Sequence, residues 1–351
     1  MTLNGMSAQA VATSGPSNSY VDILNAAWQQ HIAPRQSNAP TVISTFAGAG
    51  GSSLGYSMAG YHELLAVEWD DNAVATFKLN FPGVPVYHGD IAKLSVEQCL
   101  EMAGIAPGEL DVFDGSPPCQ GFSTAGKRMI DDPRNQLFRE YVRLLRGLRP
   151  KVFVMENVSG MVKGKMKLIF ADILRELKAS GYVVSARLLN AMYFQVPQMR
   201  ERLMFIGVRE DLKIAPSHPK AISRPITVRQ AWQKLDVNRD GLELTPLYSQ
   251  YWHMAQPGKI IGKFRTIRKL NPDRVSFTIM KSHSSGGVYH PTECRMLAVD
   301  ELKRIASFPD KFVFAGDRYD CKQRIGNSVA PLFMRAIAGH VRTEILDKVT
   351  L

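Results

Sequence analysis

The sequence predicts an α/β fold, a mostly parallel sheet covered by helices on both faces, with a smaller second domain. Three observations predict it. Short apolar runs alternate with helical stretches of about 10–15 residues from residue 41 to about 215. Glycines, acids and a cysteine fall at or just after the predicted strand ends, where open α/β sheets bind ligands. After about residue 215 the alternation fails, and a stretch rich in proline and basic residues begins.

Residues 1–19 are small and polar, a composition that does not fold alone. "YVDILNAAWQQHI" then spaces Val21, Leu24 and Trp28 as one face of a helix. "APRQSNAP" reads as a linker, so residues 1–40 form an extension. "TVISTF" is the first strand, "AGAGG" a glycine turn and "SSLGYSMAG" the helix behind it. "ELLAVEW" and "VPVYHGDI" are strands two and three, separated by the helical "DNAVATFKLNF". "LSVEQCLEMAG" is a helix, and "LDVFDGS" leads into a loop that reads "PPCQGFS". "NQLFREYVRLLRGLR" is a helix, "KVFVMENV" a strand and "KLIFADILRELKASG" a helix. "YVVSARLLN" and "RLMFIGVR" close the set. Residues 41–215 therefore form the first, larger domain and 216–290 a small domain. Residues 291–351, helical around "RIGNSVAP", form a segment that packs back on the first.

Lysine plus arginine number 43 against 32 aspartate plus glutamate, a formal charge of +11 that favours a polyanionic partner. The four cysteines make no C-x-x-C pair and the eight histidines no H-x-x-x-H pair, so neither a metal nor a disulfide framework is expected. A reducing cytoplasm fits that usage. No apolar run approaches the roughly 18 residues of a membrane span, and the N-terminus lacks the pattern of a signal peptide.

The chemistry gathers at the strand ends. "FAGAGG" is a glycine turn at a helix start, without the G-x-G-x-x-G dinucleotide spacing. Glu68 ends the second strand, where a carboxylate accepts ribose hydroxyls, and Asp90 follows the third as a second acceptor. Together they imply a nucleoside-containing cofactor. Cys119 follows Pro117 and Pro118, which restrict the backbone ahead of the thiol. Glu156 ends the apolar strand "KVFVM", a setting that favours a protonated carboxyl able to donate.

In this order "FAGAGG", "PPCQGFS", "ENV", "QMRER" and "RIGNSVAP", with "EW" and "GDI" between them, closely resemble the DNA cytosine-5 methyltransferase family over roughly residues 41–345. The resemblance implies a Rossmann-like S-adenosylmethionine-dependent sheet plus a target-recognition domain at 216–290. It also implies methyl transfer from S-adenosylmethionine to carbon 5 of a flipped-out cytosine. By the same resemblance Cys119 attacks carbon 6, Glu156 protonates ring nitrogen 3, and Arg200 and Arg202 orient the base. Phe46, Gly48, Gly50, Glu68, Trp69, Asp90, Ile91, Pro118, Asn327 and Val329 are the implied cofactor contacts. Gln120 beside the cysteine, Ser123, Lys127 and Arg128 in a lid after it, Lys263, Arg265 and Arg268 in a basic run at 259–274 that includes Lys269, and Thr278 beyond that run are the implied DNA contacts. Arg295 matches a structural arginine.

Double-stranded DNA is the implied partner of a monomer, a cognate restriction endonuclease a further candidate. The family usually opens its glycine motif with Asp-Leu-Phe. This chain has Ser44-Thr45-Phe46, so a carboxylate near the methionine end of the cofactor is missing. Two other readings stand beside this one. A tRNA methyltransferase of the same scaffold typically has Pro-Phe-Thr after Pro-Pro-Cys-Gln and a Cys-Phe-Thr stretch; here the loop has Gly121-Phe122-Ser123 and no Cys-Phe-Thr occurs. A decayed DNA-binding regulator should have lost Cys119, Glu156 or the arginines, and all are present.

Overall fold

The structure, a computed structural model, describes residues 19–118, 136–162, 166–261, 267–281 and 287–349. Helix α1 (Tyr20–Ile32) precedes strand β1 (Thr41–Thr45), and α2 (Gly51–Met58), β2 (His62–Glu68), α3 (Asp71–Asn80) and β3 (Val86–His88) follow. Next come α4 (Val96–Ala103), β4 (Val112–Gly115), α5 (Gln136–Leu148), β5 (Val152–Val158), α6 (Met166–Lys178), β6 (Tyr182–Asn190) and β7 (Glu201–Arg209). The seven strands lie in the order β3-β2-β1-β4-β5-β7-β6. All neighbours from β3 to β5 are parallel, and β7 runs antiparallel between β5 and β6. Strand order reverses between β1 and β4, which is where an open sheet leaves a crevice for a ligand.

Period-two alternation divides the sheet residues between two cores. Val42, Val112, Val152, Val154 and Ile206 belong to one, with Leu54 and Tyr56 of α2 and the C-terminal helices. Ile43, Phe113, Phe153, Met155 and Phe205 belong to the other, under Cys99 of α4, α5 and Ile173 and Leu177 of α6. Both faces are covered, as apolar strands of this kind require.

Helix α1 forms where its spacing predicts; of the expected face Leu24 is buried and Trp28 packs against the core, while Tyr20 and Ala27 are buried in place of Val21. The reason is the Tyr20 hydroxyl, which donates to the Arg304 carbonyl at 2.7 Å and rotates that side of the helix inward. Helices α7 (Val228–Ala231) and α8 (Pro246–Met254) lead to a second sheet of β8 (Ile260–Ile261), β9 (Ile267–Lys269) and β10 (Gly287–Tyr289). A small core of Trp252, Ala255, Ile267 and Tyr289 supports it.

The chain ends in α9 (Val299–Ile305), α10 (Arg318–Asn327) and α11 (Pro331–Glu344), whose Leu332, Phe333, Met334, Ile337 and Val341 join the first core. A Cβ on Gly55 of α2 would lie 2.5 Å from Met334 Cβ and 2.7 Å from the Pro331 carbonyl, so only glycine lets α11 pack this closely. Helix α3 meets the same segment through one polar stripe at i, i+4, i+8. Asn72 Nδ2 donates to Ala315 O, the Thr76 hydroxyl accepts from Ala315 N, and Asn80 bonds both polar groups of Val313. No described helix is long and apolar enough to cross a membrane.

Between α2 and the sheet lie two buried carboxyls. Asp114 is the register partner of Ser44 and accepts from the Tyr56 hydroxyl at 3.2 Å; Glu63 accepts from Ser53 at 2.8 Å. Burial pushes Glu63 up to about 8 and Asp114 up to about 7, with hydroxyl neighbours working against the rise in each case. Ser44 Oγ and Glu63 Oε2 are buried without a hydrogen-bond partner. The position that lacks the usual aspartate thus has one beside it, on the next strand.

A pH prediction follows from the sign of these shifts. A carboxyl raised in the folded state adds stability below its unfolded value, near 4.3, and that contribution is lost as pH rises through about 8. Glu63→Gln removes the Glu63 part of this loss. Urea midpoints should show the variant gaining on wild type by ~2–4 kcal/mol between pH 5 and pH 8.5. A difference that does not change with pH contradicts the assignment.

Candidate active site

The glycine turn is built by backbone geometry. Phe46, Gly48 and Gly50 all have positive φ (54°, 56° and 90°), which costs a phenylalanine strain and a glycine little. A Cβ on Gly51 would come within 2.4 Å of Val329 O and 2.9 Å of Ser328 Cβ. Its missing side chain lets the C-terminal segment close on the start of α2. The motif counted Gly48 and Gly50 as contacts and passed over Gly51. At Gly48 a Cβ would meet nothing within 4 Å, so the turn is open on that side.

Glu68 ends β2 and is 8% exposed. Its carboxylate accepts from Gly48 N at 2.7 Å, Trp69 N at 2.9 Å and Asp70 N at 3.0 Å. Three amides fix both oxygens, and the same bonds hold the glycine turn against the Trp69 corner. The Trp69 indole is 76% exposed, an unusual position for tryptophan in a protein with two large cores. Gly89 N donates to Glu68 O at 3.0 Å and brings the end of β3 alongside. There Asp90 is exposed and accepts from Ala92 N, while Ile91 is buried. Asp70 caps α3 through Ala73 N and pairs with Arg324 Nη2 at 3.0 Å. The α10 end carrying Asn327 and Val329 therefore reaches the same corner as Glu68 and Trp69.

The second half of the site lies at the end of β5. Glu156 pairs with Arg202, Nε to Oε1 at 2.5 Å, from the adjacent antiparallel strand β7. The contact is an ion pair; the Nε–H is not directed at the carboxylate and has no hydrogen-bond partner. The apolar surroundings expected for Glu156 are therefore corrected, because the neighbouring strand brings a guanidinium to its side. Asn157, next in the chain and 4% exposed, donates through Nδ2 to Pro117 O at 3.2 Å. It ties the start of the cysteine loop to β5. "ENV" contained this residue, but an asparagine in a three-letter motif carries no sign of which carbonyl it will reach. Pro117 is buried and Pro118 exposed.

Arg200 is placed differently from Arg202. It is 4% exposed, and its Nη1 donates to Ile279 O at 3.2 Å while Nη2 donates to Gly326 O and Ser328 O, both at 2.9 Å. Burial lowers it to about 9, and the Arg202 charge adds to that effect. Arg200, expected to orient the base, here gives Nη1 and Nη2 to three carbonyls while its buried Nε has no hydrogen-bond partner, so it cross-links the chain behind Arg202.

On the far side, Thr278 Oγ1 donates to Met199 O, and Arg268 is half-buried on β9. A groove of about 430 Å³ lined by Met199, Pro225, Thr227, Asn271, Arg274 and Phe277 opens next to this segment. Lys269, expected among phosphate-binding residues, is 7% exposed, with Nζ 3.4 Å from the centre of the Trp252 ring. Its cation is used on the small core around Trp252. Cys119, Gln120, Ser123, Lys127, Arg128, Lys263 and Arg265 lie outside the described residues. Among the described residues no group of three or more His, Cys, Asp or Glu could hold a metal.

A seven-stranded sheet of this order, with a glycine turn, a strand-end glutamate and an exposed tryptophan at its crevice, is an open α/β fold with a ligand crevice, and its likeness to known proteins makes it a Rossmann-like methyltransferase of the S-adenosylmethionine-dependent class. The chain belongs to the C-5 cytosine-specific DNA methylase family, which it matches over residues 40–257 and 226–343. It is 35% identical over 321 residues to the Type II methyltransferase M1.HphI of Haemophilus parahaemolyticus, covering 85% of each chain. It is 32% identical to M.NgoPII of Neisseria gonorrhoeae over 345 residues, 89% of this chain and 98% of the relative. A solved structure of an Escherichia coli prophage-encoded protein assigned to the DNA modification methyltransferases superposes with a TM-score of 0.75 at 25% identity, covering 88% of this chain and all of that one. The protein is a DNA cytosine-5 methyltransferase.

Proposed function

We propose that the chain methylates a cytosine flipped out of double-stranded DNA through a covalent adduct of Cys119, with S-adenosylmethionine held at the Glu68–Trp69 corner. The observation that carries this reading is the Glu156–Arg202 pair at the end of β5, tied by Asn157 to the carbonyl two residues before Cys119. In it, Cys119 adds to carbon 6, so that carbon 5 becomes nucleophilic. Glu156, once it has taken up a proton from solvent, presents its carboxyl to ring nitrogen 3 and passes on the proton that keeps charge off the ring. Arg202 holds that carboxyl in place and offers its guanidinium to the carbonyl oxygen of the base. Flipping costs a few kcal/mol, which contacts to the extruded base and the phosphates offset.

The cofactor supplies an electrophilic methyl group when bound. The residues present fit it. Trp69 offers an exposed ring for the adenine, Glu68 lies where ribose hydroxyls are accepted, and the turn is open at Gly48. Phe46, Gly50, Asp90, Ile91, Pro118, Asn327 and Val329 complete the assignment. Residues 41–215 with 291–351 would form the catalytic unit and 216–290 the target-recognition domain after the 1–40 extension. Thr278, Arg268 and the groove beside Phe277 would face DNA, together with Gln120, Ser123, Lys127, Arg128, Lys263 and Arg265. The relatives' Type II names support a modification role; a cognate endonuclease, a cytoplasmic location and a monomeric state belong to the same proposal. The tRNA reading has less support, since the matching family is described as DNA methylases and the Escherichia coli structure as a DNA modification methyltransferase.

Titration calorimetry tests the cofactor half. Glu68→Ala removes the carboxylate that organises both the turn and the ribose site, so S-adenosylmethionine binding should weaken by about 10–100-fold while DNA binding survives. Unchanged cofactor affinity would remove the pocket assignment.

A further inference from the structure

The segment 276–281 is fastened along its length to the chain just before β7. Ser276 N donates to Pro197 O at 3.0 Å and Met199 N to Ser276 O at 2.9 Å. Ile279 N donates to Gln198 Oε1 at 3.2 Å, and Thr278 Oγ1 bonds Met199 O. The same segment touches the end of α10 with no room to spare. A Cβ on Gly326 would lie 2.6 Å from Lys281 N and 2.7 Å from Met280 C. Arg200 sits where these pieces meet. One of its nitrogens holds Ile279 O, and another holds the carbonyls of Gly326 and Ser328, on either side of Asn327. Arg324 of the same helix end reaches on to Asp70, beside Trp69.

We propose that Arg200 is a positioning residue that couples the DNA-facing segment 276–281 to the cofactor-facing end of α10, so that each ligand raises the affinity for the other. The inference rests on the assignment of Thr278 to DNA and of Asn327 and Val329 to the cofactor. Its physical basis is that one buried guanidinium satisfies carbonyls on both sides. Neither side can shift without leaving a buried N–H or C=O unpaired, a penalty of about 1–3 kcal/mol. A contact of that size between two binding segments is enough for a coupling of about 5–150-fold, and linkage makes the coupling reciprocal. The close packing of Gly326 on residues 280–281 supports the same join. Arg202, two residues away, is turned to Glu156.

The test is the ratio of S-adenosylhomocysteine affinities with and without saturating unmethylated plasmid DNA that the wild-type enzyme methylates. Wild type should show a ratio of at least about fivefold. In Arg200→Lys, which keeps the charge but cannot span three carbonyls, the ratio should fall to nearly one. Gly326→Ala, which leaves the arginine in place and pushes residues 280–281 off the helix end, should also lower it, and it decides the matter should the Arg200 variant not fold. A purely structural role would lower the melting temperature and both affinities yet leave the ratio intact. Glu68→Ala serves as the control, weakening binding equally with and without DNA. If that control has no effect, the cofactor assignment fails. If it behaves as stated while wild type shows no coupling, or Arg200→Lys or Gly326→Ala retains it, the inference about Arg200 alone is overturned.

Discussion

Glu156→Gln should slow methyl transfer by about 10²–10⁴-fold while leaving DNA and cofactor affinity within a few-fold of wild type. The amide has nearly the shape of the acid and can still lie beside Arg202, but it cannot deliver a proton to ring nitrogen 3. Without that proton, attack at carbon 6 must place negative charge on the ring, in a site where Arg202 is the cation paired with the carboxyl among the described residues. Arg202→Met should give a loss of similar direction, with the pH profile altered as well, because Glu156 is then left partly buried without its counter-charge. Single-turnover rates with radiolabelled cofactor separate the chemical step from binding. A Glu156→Gln enzyme within tenfold of wild type would remove the acid role.

Arg295→Met should destabilise the fold by about 3–5 kcal/mol without directly touching the chemistry. Its Nη1 and Nη2 each lie 2.8 Å from an oxygen of Glu301, and its Nε lies 2.7 Å from Glu293. Glu301 is 3% exposed and also accepts from Ala298 N, so removing the arginine strands a buried carboxylate. The Arg295 bond is also the chief reason the Glu293 carboxyl is held down at about 2. Urea unfolding monitored by tryptophan fluorescence gives the number. A loss below about 1 kcal/mol would show that the pair is replaceable by solvent.

The sheet and its crevice were legible because their signals are local. Apolar runs such as "KVFVM" and "RLMFIGV" are buried strands, and the acids at their ends fall at the crevice because chain direction alone puts them there. What was not legible depends on direction and on distant partners. Alternation gives no sign that β7 enters antiparallel between β5 and β6, yet that insertion brings Arg202 to Glu156. Arg200 and Arg202 look alike in "QMRER". They differ only because Ile279, Gly326 and Ser328, 79 to 128 residues away, surround the first. Lys269 read as a surface cation because the sequence does not reveal that Trp252 lies beneath it. Gly51 and Asn157 went unassigned for the same reason, their partners being Val329 and Pro117.

Trapping on DNA that carries 5-fluorocytosine tests the covalent route most directly. Carbon 5 of that base has no proton to lose, so after addition of the Cys119 thiolate and methyl transfer the adduct cannot resolve. The account predicts a protein–DNA complex that survives denaturation, requires S-adenosylmethionine, forms far more slowly in Glu156→Gln and is absent in Cys119→Ser. No trapped complex from an enzyme that methylates ordinary DNA, or a Cys119→Ser protein that still transfers methyl groups at nearly the wild-type rate, would contradict it.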